Sequence, residues 1–101
     1  MVEGLTRAEV VEACIVAARA ATGADPRDTA QTHPVTFSRG LVMLALYDEA
    51  GFSQAEAAEV FGMAQSQFVY LRKRLLARCA DSLRCVAQER EFQRLLAQRI
   101  G

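Results

Sequence analysis

One short segment of the chain concentrates cationic side chains. The chain as a whole is neutral, with 12 cationic and 12 anionic residues among its 101, but residues 63–85 hold five cations against the single carboxylate Asp81. The five are Arg72, Lys73, Arg74, Arg78 and Arg84. Glutamine and serine side chains at 65–67 precede them. Because amides and hydroxyls can reach base edges and cations can bind phosphates, this segment has the chemistry for contacting double-stranded DNA.

No comparable group of residues supports catalysis or metal binding. The three cysteines, Cys14, Cys79 and Cys85, lack Cys-x-x-Cys spacing, and His33 is the only imidazole, so no zinc site is predicted. We expect reduced, mostly buried thiols and an exposed, inert His33. Since no nucleophile is spaced to pair with a base, we expect a non-enzyme with no cofactor and no small-molecule substrate.

Helical patterns cover the chain, and strand patterns are absent. Thr6 and Glu9 form a Thr-x-x-Glu capping box, so a first helix is predicted over 7–22. In the connection that follows, "DPRDTA" indicates a short helical turn and "QTHP" a loop.

A second helix is predicted at about 37–50, where "LVMLALY" is apolar nearly all round. Such an element suits a central position, packed on several sides. Gly40 lowers the stability of this helix by about 1 kcal/mol relative to alanine but would allow a neighbouring element to come close.

The stretch "GFSQAEAAEVFGMAQSQFVYLRKRL" predicts a helix-turn-helix. Ser53 with Glu56 caps a helix over about 54–61, Gly62 permits the left-handed backbone of a tight turn, and a second helix begins near Gln65. The residues expected to face inward are Ala57, Ala58, Phe61, Met63, Phe68, Leu71 and Leu75.

The outward face of this second helix, about residues 65–79, is the candidate DNA interface. The candidate base-reading residues are Gln65, Ser66, Gln67 and Tyr70. The candidate phosphate-binding residues in this helix are Arg72, Lys73, Arg74 and Arg78. Two structural alternatives remain open here: an ordinary solvated face, and a Tyr70 ring that covers the edge of the core. The anionic residues Asp48, Glu49 and Glu59 should lie away from a bound duplex.

Asp81 is predicted to cap a last helix, or a continuation of the preceding helix after a bend, whose apolar residues share one face. They are Leu83, Val86, Phe92, Leu95, Leu96 and Ile100. We expect this face to pack back on the domain. The alternative is that Phe92, Leu95 and Ile100 stay partly exposed and join a second copy or a partner such as RNA polymerase.

The segments "FSRGLVMLALYDEAGFSQAEAAEVFG" and "SQFVYLRKRLLARC" resemble the C-terminal DNA-binding domain of the bacterial replication initiator DnaA, a Trp-repressor-like helix-turn-helix domain. The likeness covers nearly the whole chain. It implies that Arg39, at the head of the central helix, contacts DNA backbone, and that Lys73 and Arg74 match a basic pair of the recognition helix.

Two departures limit the resemblance. The base-reading Asp-His-Thr-Thr signature of the family is replaced by Ala64–Gln67, and its basic loop before the central helix is here the nearly uncharged "AQTHPVTF". The chain also has no Gly-x-x-x-x-Gly-Lys-Ser/Thr loop, so ATP-driven origin opening is excluded from it.

The sequence therefore predicts one all-α domain over 1–101, a compact bundle of five to six helices. We expect a cytoplasmic, sequence-preferring DNA-binding protein, a bacterial transcription regulator of the kind found in gene transfer agent activation factors. The protein is further expected to pair with a second copy of itself, with RNA polymerase or with another regulator. No membrane contact is expected. The alternative is a helical protein-interaction module or an adaptor resembling region 4 of a sigma factor.

Overall fold

The described part of the chain forms five α-helices. The computed structural model describes residues 4–30 and 32–100, apart from the side chain of Ile100, and contains no strand in that part of the chain. The helices are α1 (Arg7–Thr22), α2 (His33–Asp48), α3 (Gln54–Glu59), α4 (Gln65–Asp81) and α5 (Leu83–Ile100). The predicted all-α bundle is confirmed. No helix of the described residues is long and apolar enough to cross a bilayer.

Local capping sets the bounds of α1, which agree with the prediction. Thr6 Oγ1 accepts a hydrogen bond from the Glu9 N–H at 3.1 Å, and Glu9 Oε1 accepts one from the Thr6 N–H at 3.1 Å. At the other end Gly23 has a φ of 76° and donates its N–H to the Arg19 carbonyl oxygen at 2.9 Å. Both ends of α1 thus follow from residues close in sequence.

The central helix α2 begins four residues before the predicted Phe37. His33 and Pro34 occupy its first two positions, so the prediction of a loop there was wrong. A proline in the first helical turn loses no intrahelical hydrogen bond, and its ring favours the helical φ. The segment before α2 forms a single turn, in which the Asp28 N–H bonds the Asp25 carbonyl oxygen at 3.1 Å.

Packing places α2 in the middle of the bundle, as predicted. It touches α1, α3 and α4, and α1 also packs along α5. A Cβ atom on Gly40 would lie 3.3 Å from Leu75 Cδ1, so glycine allows α4 to approach α2 closely. The large side chains at the centre of the core are Met43, Leu46, Phe68, Phe92 and Leu96.

The last two helices meet at Ser82, not at the predicted Asp81. Helix α4 continues through Asp81, and Ser82 Oγ accepts a hydrogen bond from the Cys85 N–H at 3.2 Å, which caps α5. Phe92 and Leu96 on the apolar face of α5 are buried and pack back on the domain, so the alternative that exposed Phe92 was wrong. Leu83, the first residue of α5, is 90% exposed, so the prediction that it packs with this face was wrong. Leu95 is half-buried, and the Ile100 side chain lies outside the described part of the structure.

Candidate nucleic-acid interface

A sharp corner separates α3 from α4. Gly62 adopts a φ of 66°, in the left-handed region, and donates its N–H to the Glu59 carbonyl oxygen at 2.9 Å. The Met63 N–H bonds the Ala58 carbonyl oxygen at 3.0 Å. These bonds close the end of α3 and redirect the chain, so that α4 begins at Gln65 as predicted. Helix, turn and helix therefore follow in the predicted order, although α3 ends two residues earlier than expected.

Helix α3 is short and is anchored at its start. Ser53 Oγ accepts from the Glu56 N–H at 3.1 Å, and Glu56 Oε1 accepts from the Ser53 N–H at 2.9 Å. Glu56 Oε2 also accepts from Arg7 Nη2 at 2.7 Å. The hydrogen bonds from the backbone and hydroxyl of Ser53, followed by Arg7, lower the pKa of Glu56 below its ordinary value.

Three apolar side chains fix α4 against the core. Phe68, Leu71 and Leu75 are buried, as predicted. The Phe68 ring meets the Tyr47 ring edge-on, with centroids 5.7 Å apart and an interplanar angle of 66°. Because these contacts lie along one side of α4, the opposite side is left to solvent.

The predicted base-reading residues lie on that solvent side. Gln65, Ser66, Gln67 and Tyr70 are all exposed. Tyr70 is 63% exposed, so its ring does not cover the edge of the core. The guanidinium carbon of Arg74 lies 5.7 Å from the centroid of this ring, a cation–π arrangement that keeps the two side chains together.

Both glutamines of this set make side-chain hydrogen bonds within the protein. Gln67 Oε1 accepts from the Ala64 N–H at 2.7 Å and so caps α4, because Ala64 has no side-chain acceptor. Gln65 Nε2 donates to Gln54 Oε1 at 3.0 Å and links the starts of α3 and α4. Both contacts orient the amide groups at the exposed end of α4. Ser66 and Tyr70 make no side-chain hydrogen bond to the described residues.

Lys73, Arg74 and Arg78 form what we call the α4 cationic face. All three are exposed, and no carboxylate of the described residues lies within 4 Å of their charged groups. Arg72 differs from them. It is half-buried, its guanidinium carbon lies 5.5 Å from the Tyr47 ring centroid, and its buried Nε has no hydrogen-bond partner among the described residues. Arg72 therefore lies at the edge of this face, packed on an aromatic ring.

Arg39 is not on this surface. Its side chain is 8% exposed, with Nε donating to the Pro26 carbonyl oxygen at 3.2 Å and Nη2 donating to the Asp28 carbonyl oxygen at 2.6 Å. In this conformation it does not offer its guanidinium to phosphate, and the expectation carried over from the resemblance is corrected accordingly. The signal in the sequence was a lone arginine within a nearly all-apolar helix, where a buried cation must find carbonyl partners.

Acidic and basic residues collect at opposite ends of α2. Arg78 lies beside His33 at the start of the helix, whereas Asp48 and Glu49 lie at its end, beside Leu76 and Phe92. A helix of 16 residues is about 24 Å long. The expectation that Asp48, Glu49 and Glu59 lie away from a bound duplex stays a prediction.

The cysteines are free thiols, as predicted. Cys14 and Cys85 are buried, and Cys79 is half-buried. Burial, with a smaller effect of Glu49, raises the pKa of Cys14 to about 12. No three potential metal ligands come together anywhere in 4–30 or 32–100.

Comparisons of the chain with protein-family models, curated proteins and solved structures found no significant match. The resemblance to the DnaA domain therefore rests on the pattern of the sequence alone.

Proposed function

We propose that the protein binds double-stranded DNA with a sequence preference and acts in the cytoplasm as a bacterial transcription regulator of the gene transfer agent activation factor type. The observation that carries this proposal is the α4 cationic face. It lies on the solvent side of the helix that follows the Gly62 corner, and its charges are unpaired within the described chain.

The two halves of α4 would have different tasks. At the start of the helix, Gln65, Ser66 and Tyr70 carry groups that can hydrogen-bond to base edges in a major groove. Further along, Lys73 and Arg74 would bind the phosphates that border the groove. Each phosphate neutralised should contribute about 0.9 to the slope of log affinity against log salt concentration.

A single copy offers few cations, since residues 30–37, which stand where the family has its basic loop, contain no lysine or arginine. Two copies on adjacent half-sites would double the contact, as in many helix-turn-helix proteins. A homodimer on DNA is therefore part of the proposal.

Selection of bound fragments from a genomic DNA pool at two salt concentrations tests the proposal directly. We expect an enriched motif for the wild type. Lys73→Ala should weaken binding to all sequences, whereas Gln65→Ala should change the preferred motif. Arg90→Ala removes an exposed α5 arginine outside this face and is the matched control. Uniform weak retention, or equal effects of all three substitutions, would contradict a sequence-reading role for α4.

A second candidate function is protein interaction, and one groove favours it. Leu44, Leu76 and Phe92 form its apolar lining, and Asp48 and Glu89 lie at its rim. Such a groove suits a basic amphipathic helix of a protein partner, for which RNA polymerase is the candidate. Titration with purified RNA polymerase tests this: Leu76→Asp should abolish the complex and leave DNA retention unchanged. No complex with the wild type would exclude the RNA polymerase candidate.

A further inference from the structure

Three arginines converge on a groove outside the predicted base-reading surface. Two adjoining hollows, which share His33, Phe37 and Arg78, run between the start of α2, the second half of α4 and the first turn of α5. The polar residues that line these hollows include His33, Thr36, Arg74, Arg78, Arg84 and Gln88. We call this the α2–α4–α5 groove. Among the described residues, no aspartate or glutamate lines it.

The charges of this groove are not balanced within the protein. Arg74 and Arg78 come from α4 and Arg84 from α5, and no described carboxylate lies within 4 Å of any of them. Asp81, the nearest acid in the sequence, is exposed and does not line the groove. Guanidinium groups donate hydrogen bonds in a planar fork that matches phosphate oxygens. The groove therefore has the charge and the donors for a phosphate group.

The backbone adds charge of the same sign. Helix α2 has no acidic residue in its first turn, and its N-cap Thr32 makes no side-chain capping bond. By contrast, the first turns of α1 and α3 each contain a carboxylate, Glu9 and Glu56, which takes part in a capping box. The first turn of α2, from which His33 and Thr36 reach the groove, thus keeps its partial positive charge.

We propose that the α2–α4–α5 groove binds a phosphate group, and that in the DNA complex this is a backbone phosphate beyond the bases read by α4. This inference rests on the proposed function. Arg78 lies 13 residues after Gln65, which corresponds to about 20 Å along α4. A major groove is about 12 Å wide, so the second half of α4 reaches past its edge to the backbone.

Nuclear magnetic resonance titrations of the whole chain separate this proposal from DNA binding itself. Inorganic pyrophosphate in low salt should shift the backbone amides of His33, Thr36, Arg78 and Arg84. Arg84→Ala should weaken pyrophosphate binding about threefold to tenfold, and Arg90→Ala should leave it unchanged. A duplex should shift the same amides as well as those of Gln65 and Ser66. For the duplex, Arg84→Ala should lower the salt slope by about 0.9 without changing the preferred motif.

The outcomes are distinguishable, provided that thermal melting shows both variants folded like the wild type. If pyrophosphate shifts the groove amides but the duplex does not bind, phosphate recognition stands and the proposed DNA function fails. If the duplex shifts only the start of α4 and Arg84→Ala matches the wild type, DNA binding stands and the groove proposal is overturned. If neither ligand shifts the groove amides, the groove proposal is likewise overturned.

Discussion

Arg39 Nη2 donates a 2.6 Å hydrogen bond to the carbonyl oxygen of Asp28 and ties the segment between α1 and α2 to the central helix. A second bond, from Arg39 Nε to the Pro26 carbonyl oxygen, and one from Ser38 Oγ to the Ala24 carbonyl oxygen at 2.9 Å strengthen this tie. An arginine that the family resemblance assigns to DNA is therefore a structural residue in this chain.

Arg39→Ala should lower the free energy of unfolding by about 2 kcal/mol, because it removes two hydrogen bonds from a charged donor. Urea denaturation measures this change. Below the melting transition, the salt slope of duplex binding should stay as in the wild type. A salt slope reduced by about 0.9 with unchanged stability would instead assign Arg39 to phosphate.

Gly62→Ala should destabilise the protein by about 1–2 kcal/mol, the cost of a left-handed backbone for an L-residue. A Cβ atom at this position would meet no atom of the rest of the described chain within 4 Å, so the cost is local backbone strain and not a clash with another element. Gly62→Asn is the matched variant and should lose less, because asparagine tolerates this region better. Equal stability of the alanine variant and the wild type in thermal melting would contradict a strained corner.

Acid should weaken the start of α3 through Glu56. Its pKa is lowered in the folded chain from the ordinary value of 4.5, so the unfolded chain takes up a proton more readily. The stabilisation is therefore complete above about pH 4.5 and is lost as the pH falls through the lower folded pKa. The difference in unfolding free energy between wild type and Glu56→Gln should shrink between pH 7 and pH 3. A difference that stays constant with pH would show that the charge of Glu56 contributes nothing.

The thiols should resist alkylation in the folded protein. Burial raises the pKa of Cys14 to about 12, and burial together with Glu89 raises that of Cys79 to about 11. Because the thiolate is the reactive form, iodoacetamide at pH 8 should label the native chain far more slowly than the urea-unfolded chain. Mass spectrometry should find Cys79, which is half-buried, labelled before Cys14. Labelling of Cys14 at the rate of an unfolded thiol would contradict its burial.

Local rules predicted four helix ends correctly, namely both ends of α1 and the starts of α3 and α4. The capping boxes at Thr6 and Ser53 and the turn at Gly62 depend on residues within four positions of one another, so they can be read from short segments. The same rules failed at two places where alternatives compete locally. The predicted loop at "QTHP" contains Pro34, which suits a first helical turn, and the predicted cap Asp81 lies inside α4 while Ser82 caps α5.

The sequence alone determined the helical class, the corner at Gly62 and the exposed polar and cationic face of α4, because helical period and turn chemistry are local properties. Only the tertiary structure decided that Arg39 is buried and which residues lie beside Arg84. Arg39 is buried because the fold places the carbonyl groups of Asp28 and Pro26, 11 and 13 residues earlier, within hydrogen-bond distance of its guanidinium. Arg84 lines the same hollow as Arg78 and His33 because α5 packs back against α1. Which residues meet across helices depends on how the helices pack, and hydrophobic periodicity does not encode those pairings residue by residue.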